Sequence, residues 1–276
     1  TTLTTSGTVD VNTVGLYFIT YTATDSEGNA SSVTREVIVV DTTAPEVTLN
    51  GLSTVIVEKG GSYNEESVTV TDQSNTTLTT TGIVDVDTVG SYTITYTVVD
   101  SEGNTTVVTR TINVVDTTAP EVTLNGLSTV TVEKGESYTE ESVTIIDESN
   151  TTLNTIGTVD VDTVGSYTIT YTVVDSEGNI TIITRTINVV DTTKPSITIL
   201  GNNPKTVERL DSYTEEGATV EDESSTELII SGTVDVNTVG SYIITYTATD
   251  SEGNTSSVTR EVIVQDTTAP EVQVFD

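Results

Sequence analysis

Residues Asp162 to Tyr171, DTVGSYTITY, running on through TVVDSEGN to Asn179, decide the fold. Tyr167, Ile169, Tyr171 and Val173 alternate with Thr168, Thr170 and Thr172. Successive side chains of a strand point to opposite faces, so this period of two predicts a half-buried strand with a solvated Thr face. Asp162 to Gly165 before it and Asp175 to Asn179 after it are turn punctuation, with Gly178 at the position that needs a positive φ. No helical period of 3.6 competes with the alternation.

Outward from this stretch the chain repeats itself. Gly15, Gly90, Gly165 and Gly240 stand 75 residues apart, as do Tyr21, Tyr96, Tyr171 and Tyr246. Asp41, Asp116, Asp191 and Asp266 keep the same interval, each opening the phrase D-T-T-(A/K)-P. A fixed period is the signature of tandem units. The expected division is a partial unit at 1–40, full units at 41–115, 116–190 and 191–265, and the start of another at 266–276. Exchange of the incomplete ends between molecules is the less simple reading. The tail supplies only a first strand, and the head still lacks the segment equivalent to 127–150. A window from a longer array is expected, and the absence of Met points the same way.

Within 116–190 the alternation predicts strands at 121–125, 129–133, 142–146, 151–159, 166–174 and 180–190. Six or seven strands in so short a unit fit a small two-sheet sandwich, and the Pro of each D-T-T-x-P phrase stiffens an extended junction. The phrase D-x-x-G-x-Y at Asp162–Tyr167 has the form of a tyrosine corner leading into strand F of an immunoglobulin-like domain, in which the Tyr hydroxyl ties back to the backbone of the turn. Ile169 stands where the second Cys of an antibody domain falls, so Ile packing replaces a disulfide.

The combination DTTAPEVTLNG, SYTEESVTIIDES and GTVDVDTVGSYTITYTVVDSEGN, closing on ITRTINVVDTT, resembles the bacterial immunoglobulin-like repeats of large surface proteins. That type is also appended to insecticidal crystal toxins and is similar to hyalin-type repeats. The resemblance covers the whole chain and implies an all-β string of sandwich modules serving as extracellular stalk, adhesin or coat element, without catalysis.

Composition narrows the functions. With 42 Asp and Glu against 9 Lys and Arg the net charge is −33, which disfavours a nucleic-acid partner. There is no Cys or His, so zinc sites of the usual ligand types, Cys or His nucleophiles and disulfides are excluded. No apolar stretch approaches a membrane span, and the N-terminus lacks the plan of a secretory signal, so any export signal is expected outside this window. Adjacent carboxylates such as Glu140/Glu141 and Glu215/Glu216 would point to opposite faces of a strand, and the Tyr residues belong to the core, which argues against a glycosidase.

The carboxylates have a pattern of their own. In a string of such domains the B–C loop, F–G loop and entering linker meet the E–F loop of the preceding unit. That projection gathers Asp10, Asn12, Asp41, Asp72, Asp100 and Glu102 at a first junction. It places Asp85, Asp87, Asp116, Asp147, Glu148, Asp175 and Glu177 at a second, and Asp160, Asp162, Asp191, Asp222, Glu223, Asp250 and Glu252 at a third. Two carboxylates about 5 Å apart repel by roughly 3 kcal/mol at an effective dielectric near 20, so a convergent set needs a counterion. Calcium, which takes six to eight hard oxygens, is the natural one, and small sandwiches without disulfides gain from such a staple. The alternative is that these residues cap turns and supply solubility.

Arg35, Arg110, Arg185 and Arg260 fall on the apolar face of the last strand of each unit, which predicts an ion pair with a strand-end carboxylate or a bulge turning them outward. The functional expectation is a spacer, with strands of roughly 30 Å summing to a string on the order of 130 Å. It would lie outside the cell or on its surface, with further copies of the same unit, or other chains of a filament, as partners. The alternative is an adhesive module for a glycan or host protein, which exposed loop-tip aromatics, with Phe18 and Phe275 the only Phe residues, would favour.

Overall fold

The computed structural model describes residues 1–273 and is all-β. The first repeat holds β1 (Thr2–Ser6), β2 (Gly15–Thr24) and β3 (Ala30–Val39). The second holds β4 (Glu46–Leu49), β5 (Thr54–Glu58), β6 (Val68–Thr71), β7 (Thr76–Thr81), β8 (Gly90–Asp100) and β9 (Thr105–Val115). The third holds β10 (Glu121–Leu124), β11 (Thr129–Glu133), β12 (Val143–Ile146), β13 (Thr151–Ile156), β14 (Gly165–Asp175) and β15 (Ile180–Val190). The fourth holds β16 (Ser196–Ile199), β17 (Lys205–Glu208), β18 (Ala218–Glu221), β19 (Thr226–Ser231), β20 (Gly240–Asp250) and β21 (Thr255–Gln265). Among the described residues no helix is long and apolar enough to cross a membrane. The chain divides into two compact units, Thr1–Thr118 and Ala119–Asp276.

In the first unit β1, β2 and β3 form one antiparallel sheet. The second repeat pairs β4 with β6 in one small sheet and orders the other as β5-β9-β8-β7, with β5 parallel to β9. In the second unit the third and fourth repeats repeat that plan, with sheets β10-β12 and β11-β15-β14-β13, then β16-β18 and β17-β21-β20-β19. The leading stretch of each full repeat thus splits between two sheets, as in an immunoglobulin-like sandwich. The switch falls at Gly126, φ +83°, a conformation a residue with a Cβ adopts only under strain.

The alternation read from DTVGSYTITY is the burial pattern observed. Ile169, Tyr171 and Val173 are buried on the inner face of β14 while Thr168 is exposed. Ile169, Tyr171 and Ile187 form the buried core of the third repeat, with Leu124, Val132, Val143 and Tyr167 packed on it. The tyrosine corner is present in all four repeats. Tyr17, Tyr92, Tyr167 and Tyr242 donate to the carbonyls of Thr13, Thr88, Thr163 and Thr238 at 2.7–2.8 Å.

One strand is shorter than its pattern predicts. The alternation runs to Val159, but β13 ends at Ile156. Gly157 follows at φ +122°, so close to β14 that a Cβ there would lie 2.3 Å from the carbonyl oxygen of Thr168. The chain leaves the sheet at that point, and Val159 still packs on the core from an irregular segment.

The invariant Arg of the last strand is not turned outward in the full repeats. Arg110, Arg185 and Arg260 are at most 1 % exposed. Arg185 Nε lies 2.9 Å from Glu140 Oε1, and its other nitrogens donate to the carbonyls of Leu127 and Asn125. Arg110 pairs with Glu65 at 3.3 Å and Arg260 with Glu215 at 2.9 Å. The carboxylate comes from the connection before β6, β12 or β18, and not from a strand end as expected. In the first repeat Arg35 is exposed, 5.9 Å from the centroid of the Tyr21 ring.

Candidate metal centre at the linker aspartates

Each D-T-T-x-P linker is held by its own chemistry before any ligand is considered. In the linkers that open at Asp41 and Asp191, the Asp and Pro carbonyls are tied to the repeat that follows. Asn104 Nδ2 donates to the Asp41 carbonyl at 3.2 Å, and Thr106 to that of Pro45 at 2.6 Å. Asn254 and Ser256 do the same for Asp191 and Pro195. The two Thr residues of the three later linkers are gripped by the repeat they leave. Glu58 accepts the backbone N–H and hydroxyl of both Thr117 and Thr118, at 2.6–3.0 Å. Glu133 binds Thr192 and Thr193 in the same four ways, and Glu208 binds Thr267 and Thr268. These donors hold Glu58, Glu133 and Glu208 below the usual carboxylate range.

This bracing brings three carboxylates together. In the first unit one oxygen each of Asp41, from the linker, Asp72, from the β6–β7 loop, and Asp100, at the end of β8, lie within 4.8 Å of one another. In the second unit Asp191, Asp222 and Asp250 converge within the same limit. The sequence supplies the same trio as Asp116, Asp147 and Asp175.

Each member is oriented by neighbouring donors. Asp250 accepts N–H bonds from Glu252 and Asn254 and one from the Asn254 side-chain amide, at 2.7–3.0 Å. Asp222 accepts the N–H of Ser224 at 2.8 Å, and the Ser224 hydroxyl donates to Asp191. Asp191 and Asp250 are 8 % and 6 % exposed. Burial raises the carboxyls of Asp100 and Asp250, but the hydrogen bonds from Asn104 and Asn254 and the adjoining N–H groups outweigh it, so both are held low and charged.

The donor set fits a hard cation: three anionic carboxylates, all oxygen, on loops that can adjust. The sharpest sign is Asp222 Oδ2, which is buried and has no hydrogen-bond partner. A buried carboxylate oxygen left so is costly, and a cation is the partner that would satisfy it. The same hydrogen bonds also make every member an ordinary turn cap, so capping and cation binding are compatible here.

The other acidic candidates take different places. Asp10, Asp85 and Asp160 cap the turn before the tyrosine corner, accepting from Asn12 N–H and Thr13, Asp87 N–H and Thr88, and Asp162 N–H and Thr163. Asp87, Asp162, Glu148 and Glu223 are exposed. Glu102, Glu177 and Glu252 accept the hydroxyls of Ser101, Ser176 and Ser251 at 2.6 Å on the β-hairpin tips. The grip of Glu58, Glu133 and Glu208 on the linker was not foreseen, although their recurrence every 75 residues was in the sequence. Of the two Phe residues, Phe18 lies within β2 and is 49 % exposed, while Phe275 lies outside the described residues.

The family model for the bacterial surface protein Ig-like domain matches four times, at residues 1–39, 47–114, 122–189 and 197–264. No curated protein matches the sequence. Among solved structures the chain is similar to a protocadherin gammaB7 EC3-6 cis-dimer structure, at 15 % identity and TM-score 0.40, over 93 % of this chain and 86 % of that one. It is similar to the protocadherin gammaB4 extracellular domain at 16 % identity and TM-score 0.36, over 95 % of this chain and 59 % of that one. The human desmocollin-1 ectodomain follows at 14 % identity and TM-score 0.31, over 96 % and 70 %. At these identities and scores the likeness bears on neither ligand nor partner.

Proposed function

This chain belongs to the family of bacterial surface protein Ig-like domains, and on that premise we propose that it is a non-catalytic structural spacer of an extracellular filament, stalk or adhesin. Its modules are 41–115, 116–190 and 191–265, with a partial module at 1–40 and the start of another at 266–276. Each full module closes on its own core through one tyrosine corner and one buried Arg–Glu pair. That leaves the linkers as the places where stiffness is set.

The observation that carries the reading is the convergence of a linker aspartate with two aspartates of the module it enters. Asp41, Asp72 and Asp100 would hold one cation and Asp191, Asp222 and Asp250 another. Calcium is preferred because the ligands are hard oxygens on adjustable loops. The ion would supply charge neutralisation and a shared ligand sphere, fixing the linker to the loops beside it. The protein's contribution is to orient the carboxylates through Asn104, Asn254, Ser74 and Ser224.

Small-angle scattering and thermal melting of the chain, with calcium and with chelator, test this directly. Calcium is expected to raise the melting temperature and narrow the range of molecular dimensions. Identical profiles and melting in both conditions would remove the metal from the reading. Glycan-array binding by the purified chain would instead favour the adhesive role.

A further inference from the structure

Cations are scarce in this chain, so their positions are informative. Of the nine Lys and Arg, four are the Arg of the last strand in each repeat, and Lys194 and Lys205 stand elsewhere. The remaining three, Lys59, Lys134 and Arg209, each follow directly on the glutamate that grips the outgoing linker. Two of them face the aspartate of that linker directly, and the third reaches it through a serine. Lys59 Nζ is 3.9 Å from Asp116 Oδ2, and Arg209 Nη1 is 3.2 Å from Asp266 Oδ2. Lys134 Nζ donates to Ser224 Oγ at 2.7 Å and to the Glu223 carbonyl at 2.9 Å, and the Ser224 hydroxyl in turn donates a hydrogen bond to Asp191 Oδ2.

We propose that the basic residue following the clamp glutamate is a resident counter-cation for the linker aspartate, so that Lys134 latches the third repeat to the Asp222–Ser224 loop of the fourth without a metal. Consecutive residues then divide the work. Glu133 holds the linker at Thr192 and Thr193, while Lys134 reaches past it to the loop beyond. An exposed ion pair would contribute little. Here the acceptor hydroxyl belongs to a residue only 9 % exposed, and the ammonium is oriented by both a carbonyl and a hydroxyl. The bond also reaches a site where carboxylates converge in a chain of charge −33, so a positive group there relieves repulsion that nothing else in the trio supplies.

The latch holds whether or not calcium binds, and it makes a prediction of opposite signs. A divalent ion on the trio and the ammonium beside it draw on the same negative charge. Removing the ammonium therefore loosens the metal-free junction and strengthens cation uptake.

The chain has no Cys, so Thr168→Cys and Ile243→Cys, at equivalent exposed positions of β14 and β20, accept a single pair of spin labels. In chelator, Lys134→Met is expected to broaden the inter-label distance distribution about twofold, Lys134→Arg to preserve it, and Ser224→Ala to broaden it less. Calcium titration of Lys134→Met should show binding about fivefold tighter than in the parent. An unchanged distribution in both Lys134→Met and Ser224→Ala, with unaltered circular dichroism, overturns the latch. If the parent takes up no calcium, the metal reading falls alone, because the chelator measurement still decides the latch.

Discussion

Arg185 and Glu140 place their charged groups 2.9 Å apart within the third repeat, with the guanidinium 2 % and the carboxylate 24 % exposed. An ion pair so placed is expensive to break from one side, because the survivor is left charged and poorly solvated. Arg185→Ala is expected to cost the third repeat about 3–5 kcal/mol in urea unfolding, since it also orphans the carbonyls of Leu127 and Asn125. The double replacement Arg185→Met with Glu140→Gln should recover part of that loss. A double variant no better than the single would show that the pair is not the source of the cost.

The pH dependence follows from the same cluster and has two limbs. Burial raises Glu65, Glu140 and Glu215, but the hydroxyls of the neighbouring Tyr pairs, a backbone N–H and the Arg outweigh it and hold all three below the ordinary 4.5. A depressed carboxyl contributes stability that is complete above its unfolded value and is lost as pH falls through the folded one. Tyr63 and Tyr213 are pushed up to about 12, first by burial and then by the adjacent glutamate. Their contribution is complete below 10 and is lost as pH rises through 12. Melting temperature against pH should therefore fall below about 4.5 and again above about 10, with Tyr63→Phe blunting both limbs, since its hydroxyl is also one of the donors that hold Glu65 low.

Two glycines separate strain from crowding. Gly157 and Gly178 both have positive φ, +122° and +97°. At Gly178 nothing lies within 4 Å of an added Cβ, whereas at Gly157 the Thr168 carbonyl would be at 2.3 Å. Gly178→Ala is expected to cost about 1 kcal/mol and Gly157→Ala about 1–3 kcal/mol with disturbed pairing of β13 and β14. Equal denaturant midpoints for the two would contradict this account.

The clamp on the linker is testable at single amides. Glu133 accepts the N–H of Thr192 and of Thr193, the latter shared with Asp191. Glu133→Gln replaces a charged acceptor by a neutral one, so exchange at the Thr192 amide should accelerate more than at Thr193, whose second acceptor remains. Exchange rates that stay at parent values at both amides would show that the linker is ordered by its other contacts.

Much of this architecture was legible because strand alternation is a local property. Tyr167, Ile169, Tyr171 and Val173 carry the inward face in their spacing, and the corner motif fixes where β14 begins. The end of β13 was not legible, because the crowding at Gly157 comes from Thr168 across the sheet. For Arg185 the apolar register implied either an ion pair or a bulge turning it outward, and Glu140 reaches it from an irregular connection whose path no periodicity encodes. The trio Asp191, Asp222 and Asp250 was within reach once the loops were projected onto one end of a sandwich. Its separation from Asp160 and Asp162 was not, since Asp160 is drawn off by the turn it caps and Asp162 is exposed.

The parallel register of β11 on β15 has a mechanical consequence. Five residue pairs, Thr129 with Thr186 through Glu133 with Val190, join a strand near the start of the repeat to the strand that ends it. Tension applied to the two ends of the polypeptide would slide these strands lengthwise past one another, loading their bonds simultaneously, whereas a hairpin yields them one by one. The four bonds from Glu133 to Thr192 and Thr193 carry that load path beyond the last rung of the sheet. Each full repeat is thereby suited to resist traction along its length.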